Sequence, residues 1–248
     1  MMFRNFILKK KKLIIIIMLI VIFMYTTIKN IPTTVLAILV HKYSQHKIAI
    51  YNNSGTFWHG NGLIVVLDER SKVLAPLLLV NWDIKFGYKK FIDIIFKVGD
   101  KQIMDVYLDK NGLNLTKLNV SLSISQVSEI FGLIKNMGLS GDLLIKSNQI
   151  KLVKNKIIGV FEINLNSLSS AISPVNPLGN YSILMNLETN NIKVSTNEDS
   201  VLKIDGDGNF NSLILNSVLQ DSKKEKMLQF MTMMGIPQPN GSYQLKIF

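Results

Sequence analysis

The sequence predicts a mainly β protein: one N-terminal membrane helix, then a twisted antiparallel sheet, sandwich or half-barrel, with two or three short covering helices. Three observations carry this. Leu13 to Tyr25 is an unbroken apolar run. Trp82, Ile84, Phe86 and Tyr88 alternate with Asp83, Lys85 and Gly87, the period-two pattern of a strand buried on one face. Short polar turns such as Asp109-Lys-Asn-Gly, Lys154-Asn-Lys and Glu188-Thr-Asn-Asn separate similar stretches, as in an antiparallel sheet.

The first element is the anchor. The apolar run extends through Ile28 before Lys29 and Asn30 end it. At about 1.5 Å per residue it spans roughly 24 Å of a hydrocarbon core of about 30 Å. The stems of Lys9, Lys10, Lys11 and Lys12 can snorkel to lengthen it. Four lysines before the run and a lone Lys29 after it place the N-terminus in the cytoplasm by the positive-inside rule. A cleaved signal peptide would need a small-residue A-x-A site, and Tyr25-Thr-Thr-Ile-Lys-Asn-Ile-Pro offers none. The expected organisation is therefore a basic tail over 1–12, a transmembrane anchor over 13–30 and one β-rich domain over 31–248.

Beyond Pro32, Thr33-Thr34 are suited to cap a short helix reaching Tyr43. Strands are predicted over 48–52, 62–67, 82–88, 92–98, 103–108, 142–146, 149–153, 157–165, 181–187, 191–196, 200–205, 209–215 and 242–247. Two helices interrupt them. Ser125 caps one whose Val127, Ile130, Phe131 and Ile134 form a stripe ending near Gly138. Ser222 and Glu225 form a capping box before Met227, Leu228, Met231 and Met234, and Gly235 with Pro237 ends that helix. Both read as lids over the sheet.

Composition narrows the function. Of 28 basic residues, six precede residue 31, so the rest of the chain carries 22 against 17 acids, a net +5 without a dense basic stripe. This argues against nucleic-acid binding. With no cysteine there is no disulfide framework, thiolate nucleophile or Cys-based zinc site. His41 and His46, five residues apart, turn away from each other on a helix, and His59 reads as part of a packed turn with no G-x-S-x-G to accompany it. Asp205-Gly-Asp-Gly-Asn starts like a calcium loop, but Phe210 and Asn216 replace the sixth-position Gly and twelfth-position Glu, so a strand-to-strand turn is expected. No catalytic residue, cofactor or metal ligand is expected, and the chain reads as a non-enzyme.

The ordered segments resemble the type II secretion system protein N (general secretion pathway protein N) family. The anchor with Ile31-Pro32 is followed by Tyr51-Asn-Asn-Ser-Gly-Thr-Phe-Trp-His-Gly, similar to that family's opening S-G-T-x-W-x-G element. In the same order come Trp82, Leu139-Ser-Gly, Ser173-Pro-Val-Asn-Pro-Leu-Gly-Asn-Tyr and a C-terminal helix ending at Met234-Gly235. The resemblance spans nearly the whole chain. It implies an accessory subunit of the type II machinery in a bacterial inner membrane, with a cytoplasmic tail and a periplasmic domain in a scaffold or assembly role. Other secretion-system envelope subunits and membrane lipids would be its partners. Its motif residues Ser54, Gly55, Thr56, Trp58, Gly60, Pro177, Leu178, Gly179 and Tyr181 read as structural, with Trp58 buried in a turn. The alternative is a membrane-anchored periplasmic β-groove protein handling lipid acyl chains, motivated by the 48% apolar share.

Overall fold

A computed structural model of the protein describes residues 2–67, 74–128, 136–153, 156–197, 199–220, 224–239 and 241–246. Helix α1 covers Met2–Lys29, and its Lys12–Lys29 segment has a mean hydropathy of 2.2 with none of it buried by the rest of the chain. It is the one helix among the described residues long and apolar enough to cross a membrane. Lys12 is exposed, whereas the side chains of Lys9, Lys10 and Lys11 lie outside the described set. Helix α2 (Thr33–Tyr43) follows at once. Its cap position is Pro32, and Thr33 uses its hydroxyl on Asn53 instead of the helix end.

The described strands after α2 form one antiparallel sheet, a meander up to its last two strands. Its strands are β1 (Ile48–Gly55), β2 (His59–Leu67), β3 (Leu74–Lys85), β4 (Ile92–Val98), β5 (Lys101–Asp109), β6 (Gly112–Ser123) and β7 (Leu139–Val153). They continue as β8 (Lys156–Ser170), β9 (Gly179–Asn186), β10 (Asn191–Thr196), β11 (Leu202–Asn209) and β12 (Ser212–Leu219). The last two, β13 (Ile236–Pro237) and β14 (Tyr243–Lys246), reverse their order, so that β14 lies between β12 and β13. All fourteen described strands form one sheet, with β1 at one edge and β13 at the other.

Register makes one face apolar. Val120, Ile145, Ile163, Ile183, Val194, Gly206 and Leu215 pair in turn across seven strands. One position along, Asn119, Lys146, Glu162, Leu184, Lys193, Asp207 and Ile214 form the corresponding, mostly polar row. Nearer the N-terminus, Ile84, Ile94, Val106, Leu115 and Ile150 pair in the same way. Because directly opposed residues point to the same side, each row is a band on one surface. The sheet also curls. Val120 of β6 packs against the cluster of Ile50, Val80, Trp82, Ile84 and Ile103, although β3 and β6 are three strands apart.

Helices cover the apolar face at both ends. Leu36, Ala37 and Val40 of α2 close over the Trp82 cluster. At the far end α4 (Lys224–Met234) inserts Met227, Phe230 and Met231 among Leu178, Leu202, Leu219 and Tyr243. Between them sits α3 (Ile124–Ser128). The predicted stripe residues Ile130, Phe131 and Ile134, and the predicted cap Ser222, lie outside the described residues.

Four expectations are corrected. The strand expected over 82–88 begins earlier, at Leu74, and ends at Lys85, so that Phe86, Gly87 and Tyr88 belong to the loop before β4. Strand β6 occupies a stretch over which no strand was predicted, and the two strands expected over 142–146 and 149–153 are one long strand, β7. The Asp205–Asn209 segment is strand, not turn: Gly206 and Gly208 lie opposite Leu215 and Leu213, and a methyl at either would meet the Cα of its opposite Leu at about 3 Å. Their absent side chains leave room for Ile192, Val194, Leu213 and Leu215 to pack as one cluster.

Candidate functional site

The S-G-T-x-W-x-G element builds the joint between α1 and the sheet. Its core is a tight turn: the Thr56 backbone N–H donates to the His59 carbonyl at 2.8 Å, and the His59 N–H returns to the Thr56 hydroxyl at 3.2 Å. Gly55 turns the chain with φ +94°, where a Cβ would sit 2.5 Å from the His59 carbonyl oxygen. The Ser54 hydroxyl donates to Asn61 Oδ1 at 3.0 Å, across the strand pair that the turn begins.

From this turn, bonds run in two directions. Towards α1, the Trp58 indole N–H donates to the Ile28 carbonyl at 2.7 Å and the Phe57 backbone N–H to the Ile31 carbonyl at 2.7 Å, while Pro32 bridges Thr56. The Trp58 bond adds to the 3.4 Å bond that the Ile31 N–H makes to the Ile28 carbonyl in the last turn of α1, and the Phe57 bond holds the segment just beyond the helix. Towards the sheet, the Trp82 indole donates to the Phe57 carbonyl at 3.1 Å and Ile84 N–H to the Trp58 carbonyl at 2.7 Å. A Cβ on Gly60 would lie 2.7 Å from both Thr33 Cγ2 and Trp82 Cζ2, so only glycine lets α2 and β3 close on this point. The buried tryptophan is therefore Trp82, at 2% exposure, whereas Trp58 is partly exposed and serves as the tie to helix α1.

On the polar face of the joint, His59 Nδ1 meets Asp83 Oδ1 at 2.7 Å, and Lys97 Nζ meets Asp83 Oδ2 at 3.2 Å. The His59 hydrogen bond first, then Lys97, holds the Asp83 carboxyl below its ordinary range despite some burial. The neighbouring hydroxyls of Ser54 and Thr56 bond to Asn61 and to the His59 backbone. The arrangement is an ion-pair network pinning β2, β3 and β4 together.

Pro177, Leu178, Gly179 and Tyr181 lie elsewhere, at the start of β9, seven strands from β2. Asn176 holds the preceding loop through the Ser170 N–H at 2.9 Å and the Ser170 carbonyl at 3.0 Å. Leu178 sits in the α4 cluster at 4% exposure. Tyr181 is buried, which pushes its phenol well above the usual tyrosine range, and its hydroxyl donates to the Leu202 carbonyl at 2.8 Å. The two motif blocks thus do not converge; each fastens one end of the sheet.

His41 and His46 do meet, contrary to the sequence expectation: His41 Nε2 and His46 Nδ1 are 2.9 Å apart. The helix ends at Tyr43, and positive φ at Gln45 and His46 folds the chain back on itself. No group of three or more potential metal ligands occurs among the described residues. No protein-family model, curated protein or solved structure matches this chain.

Proposed function

We propose that this chain is an accessory inner-membrane subunit of the type II protein secretion machinery, with a cytoplasmic tail and the sheet acting in the periplasm as a non-catalytic scaffold. One observation carries the reading. The residues that resemble the family's opening element, Ser54 to Gly60, are those that fasten the apolar helix to the sheet. A tether held by several hydrogen bonds sets the attitude of the sheet relative to the membrane, as a scaffold requires. Strand β1, at the edge of the sheet, offers backbone groups to an incoming strand of another envelope subunit. Deletion in the host is expected to leave folded exoproteins in the periplasm, and the intact chain to co-purify with other secretion subunits. Undiminished secretion in the deletion strain would defeat the proposal.

A second reading, a β-groove for lipid acyl chains, is favoured by the apolar band running from Val120 to Leu215. Beneath α3 the same face holds an apolar cavity of about 170 Å³ lined by Ile124, Val127, Leu143, Leu165 and Leu168 among others. Mass spectrometry of the purified full chain discriminates. A phospholipid retained one per chain and lost in Leu165→Gln selects the groove; no retained lipid leaves the scaffold.

A further inference from the structure

We propose that the loop joining β3 to β4, with the neighbouring β5–β6 turn, is a foot that rests on the anionic phospholipid headgroups of the leaflet from which α1 emerges. The inference rests on α1 being the membrane anchor and extends that reading to a second, independent contact with the bilayer.

The loop reads Lys85-Phe-Gly-Tyr-Lys-Lys-Phe91, three aromatics and three lysines in seven residues. Tyr88 is 98% exposed, Phe86 67% and Phe91 50%. Exposed aromatics interleaved with lysines are costly in water and suited to the membrane interface, where rings lie at headgroup level and ammonium groups meet lipid phosphates.

Position then selects the bilayer as the occupant. The apolar Lys12–Lys29 segment is 18 residues long, about 27 Å of helix against a hydrocarbon core of about 30 Å, so Ile28 and Lys29 lie at the headgroup boundary. Trp58 bonds to the Ile28 carbonyl at 2.7 Å, and its ring meets Phe86 edge-on with centroids 5.4 Å apart. Tyr88 follows two residues later, at most about 7 Å of chain away. The joint thus holds the loop at the level where the anchor leaves the hydrocarbon.

Charge agrees with this placement. Gly87, Tyr88, Lys89, Phe91, Asp109 and Lys110 line an open depression of about 590 Å³. Asp93 holds Lys90 at 2.9 Å, over the Tyr107 ring. Asp109 accepts from the Asn111 backbone N–H, and Lys89 and Lys110 are both exposed. Two exposed lysines between a tyrosine and a phenylalanine form a surface that a phosphate headgroup complements.

The absence of cysteine makes the test direct, because Tyr88→Cys, Asp100→Cys and Tyr25→Cys each give the full chain a single labelling site. Asp100 lies beyond the opposite end of β4, a strand of seven residues that spans about 23 Å. Each variant would carry an environment-sensitive fluorophore in nanodiscs of phosphatidylcholine with phosphatidylglycerol, containing phospholipid spin-labelled on the headgroup or on the acyl chain. The label at position 25 is expected to be quenched from the acyl chain. The headgroup spin should quench the label at position 88 at least about threefold more than the label at position 100. That excess should fall by about half without phosphatidylglycerol, or when Lys89→Gln and Lys110→Gln are added. Equal quenching at 88 and 100, with position 25 still quenched, overturns the foot. Quenching at 88 that ignores both lipid charge and the lysines overturns the headgroup assignment. A label at position 25 that no lipid spin reaches overturns the anchor itself.

Discussion

Thirty residues apart in sequence, the Trp58 indole and the Ile28 carbonyl meet at 2.7 Å. Ile28 lies in the last turn of α1, so this bond and the Phe57 to Ile31 bond together fix the angle at which the sheet leaves the helix. Replacing Trp58 with Phe keeps a ring against Phe57 and Phe86 and removes the donor. Stability is expected to fall by only about 0.5–1.5 kcal/mol. The distance distribution between spin labels at positions 25 and 100, read by pulsed EPR, should broaden. An unchanged width would mean that the indole bond does not set the angle.

Gly60→Ala tests the same joint from its packed side. The new methyl would lie 2.7 Å from Thr33 Cγ2 and Trp82 Cζ2, an overpacking expected to cost about 1–3 kcal/mol. In a chain of this size each kcal/mol lowers the thermal midpoint by about 2–4 °C. Thr33→Ser removes the clashing Cγ2 methyl, leaving the Trp82 ring, while keeping the hydroxyl on Asn53, so the double variant should recover part of the loss. A melt of the purified chain in detergent reads both.

The Asp83 network predicts acid sensitivity of defined sign. Its carboxyl is held below the unfolded value of about 3.9, so its contribution is fully present above that pH and disappears as pH falls through the folded value. With His59 63% exposed and Asp83 30%, solvent screening limits the contribution to about 0.2–1 kcal/mol. Asp83→Asn should therefore melt below the parent at neutral pH and converge with it in strong acid. Parallel curves across the whole range would remove the network from the account.

Helix α4 is expected to behave as core. Met227 is fully buried, whereas Leu228 beside it is 53% exposed. Met227→Ala should cost about 2–5 kcal/mol and raise hydrogen exchange through α4 and β14. Leu228→Ala should change stability by less than about 0.5 kcal/mol. Similar effects from the two would mean that the helix only rests on the sheet.

Strand character was legible only in part from alternation: 92–98 and 191–196 are strands β4 and β10 over the predicted residues, whereas the alternation of 82–88 runs on through Phe86 and Tyr88 after β3 has ended at Lys85. Strand β6 escaped because its phase slips. Leu113 and Leu115 lie on the odd count and Leu118, Val120 and Leu122 on the even, with Lys117 between them at φ 55°. A left-handed residue inside a strand shifts the face without a turn signal, and period-two reasoning then finds no strand. The joint was half legible. The Ser54–Gly60 element stood out as a motif, but its partners Ile28 and Ile31 are backbone carbonyls, which no side-chain pattern announces. The meeting of His41 with His46 was missed although the helix ends at Tyr43 as expected: it depends on the left-handed backbone of Gln45 and His46 beyond that end.

A strictly sequential meander has a consequence for how the chain folds. From β1 to β12 every strand pairs with its immediate predecessor, so each hairpin can close as soon as it is synthesised, without waiting for distant partners. Loop-closure entropy is then lost in small instalments, which favours fast, directional assembly outward from the N-terminal end. The exception is the inserted strand β14, which must reach past β13 to zip against β12. Completion of that last pairing is the step at which a half-made sheet would remain exposed to misassociation.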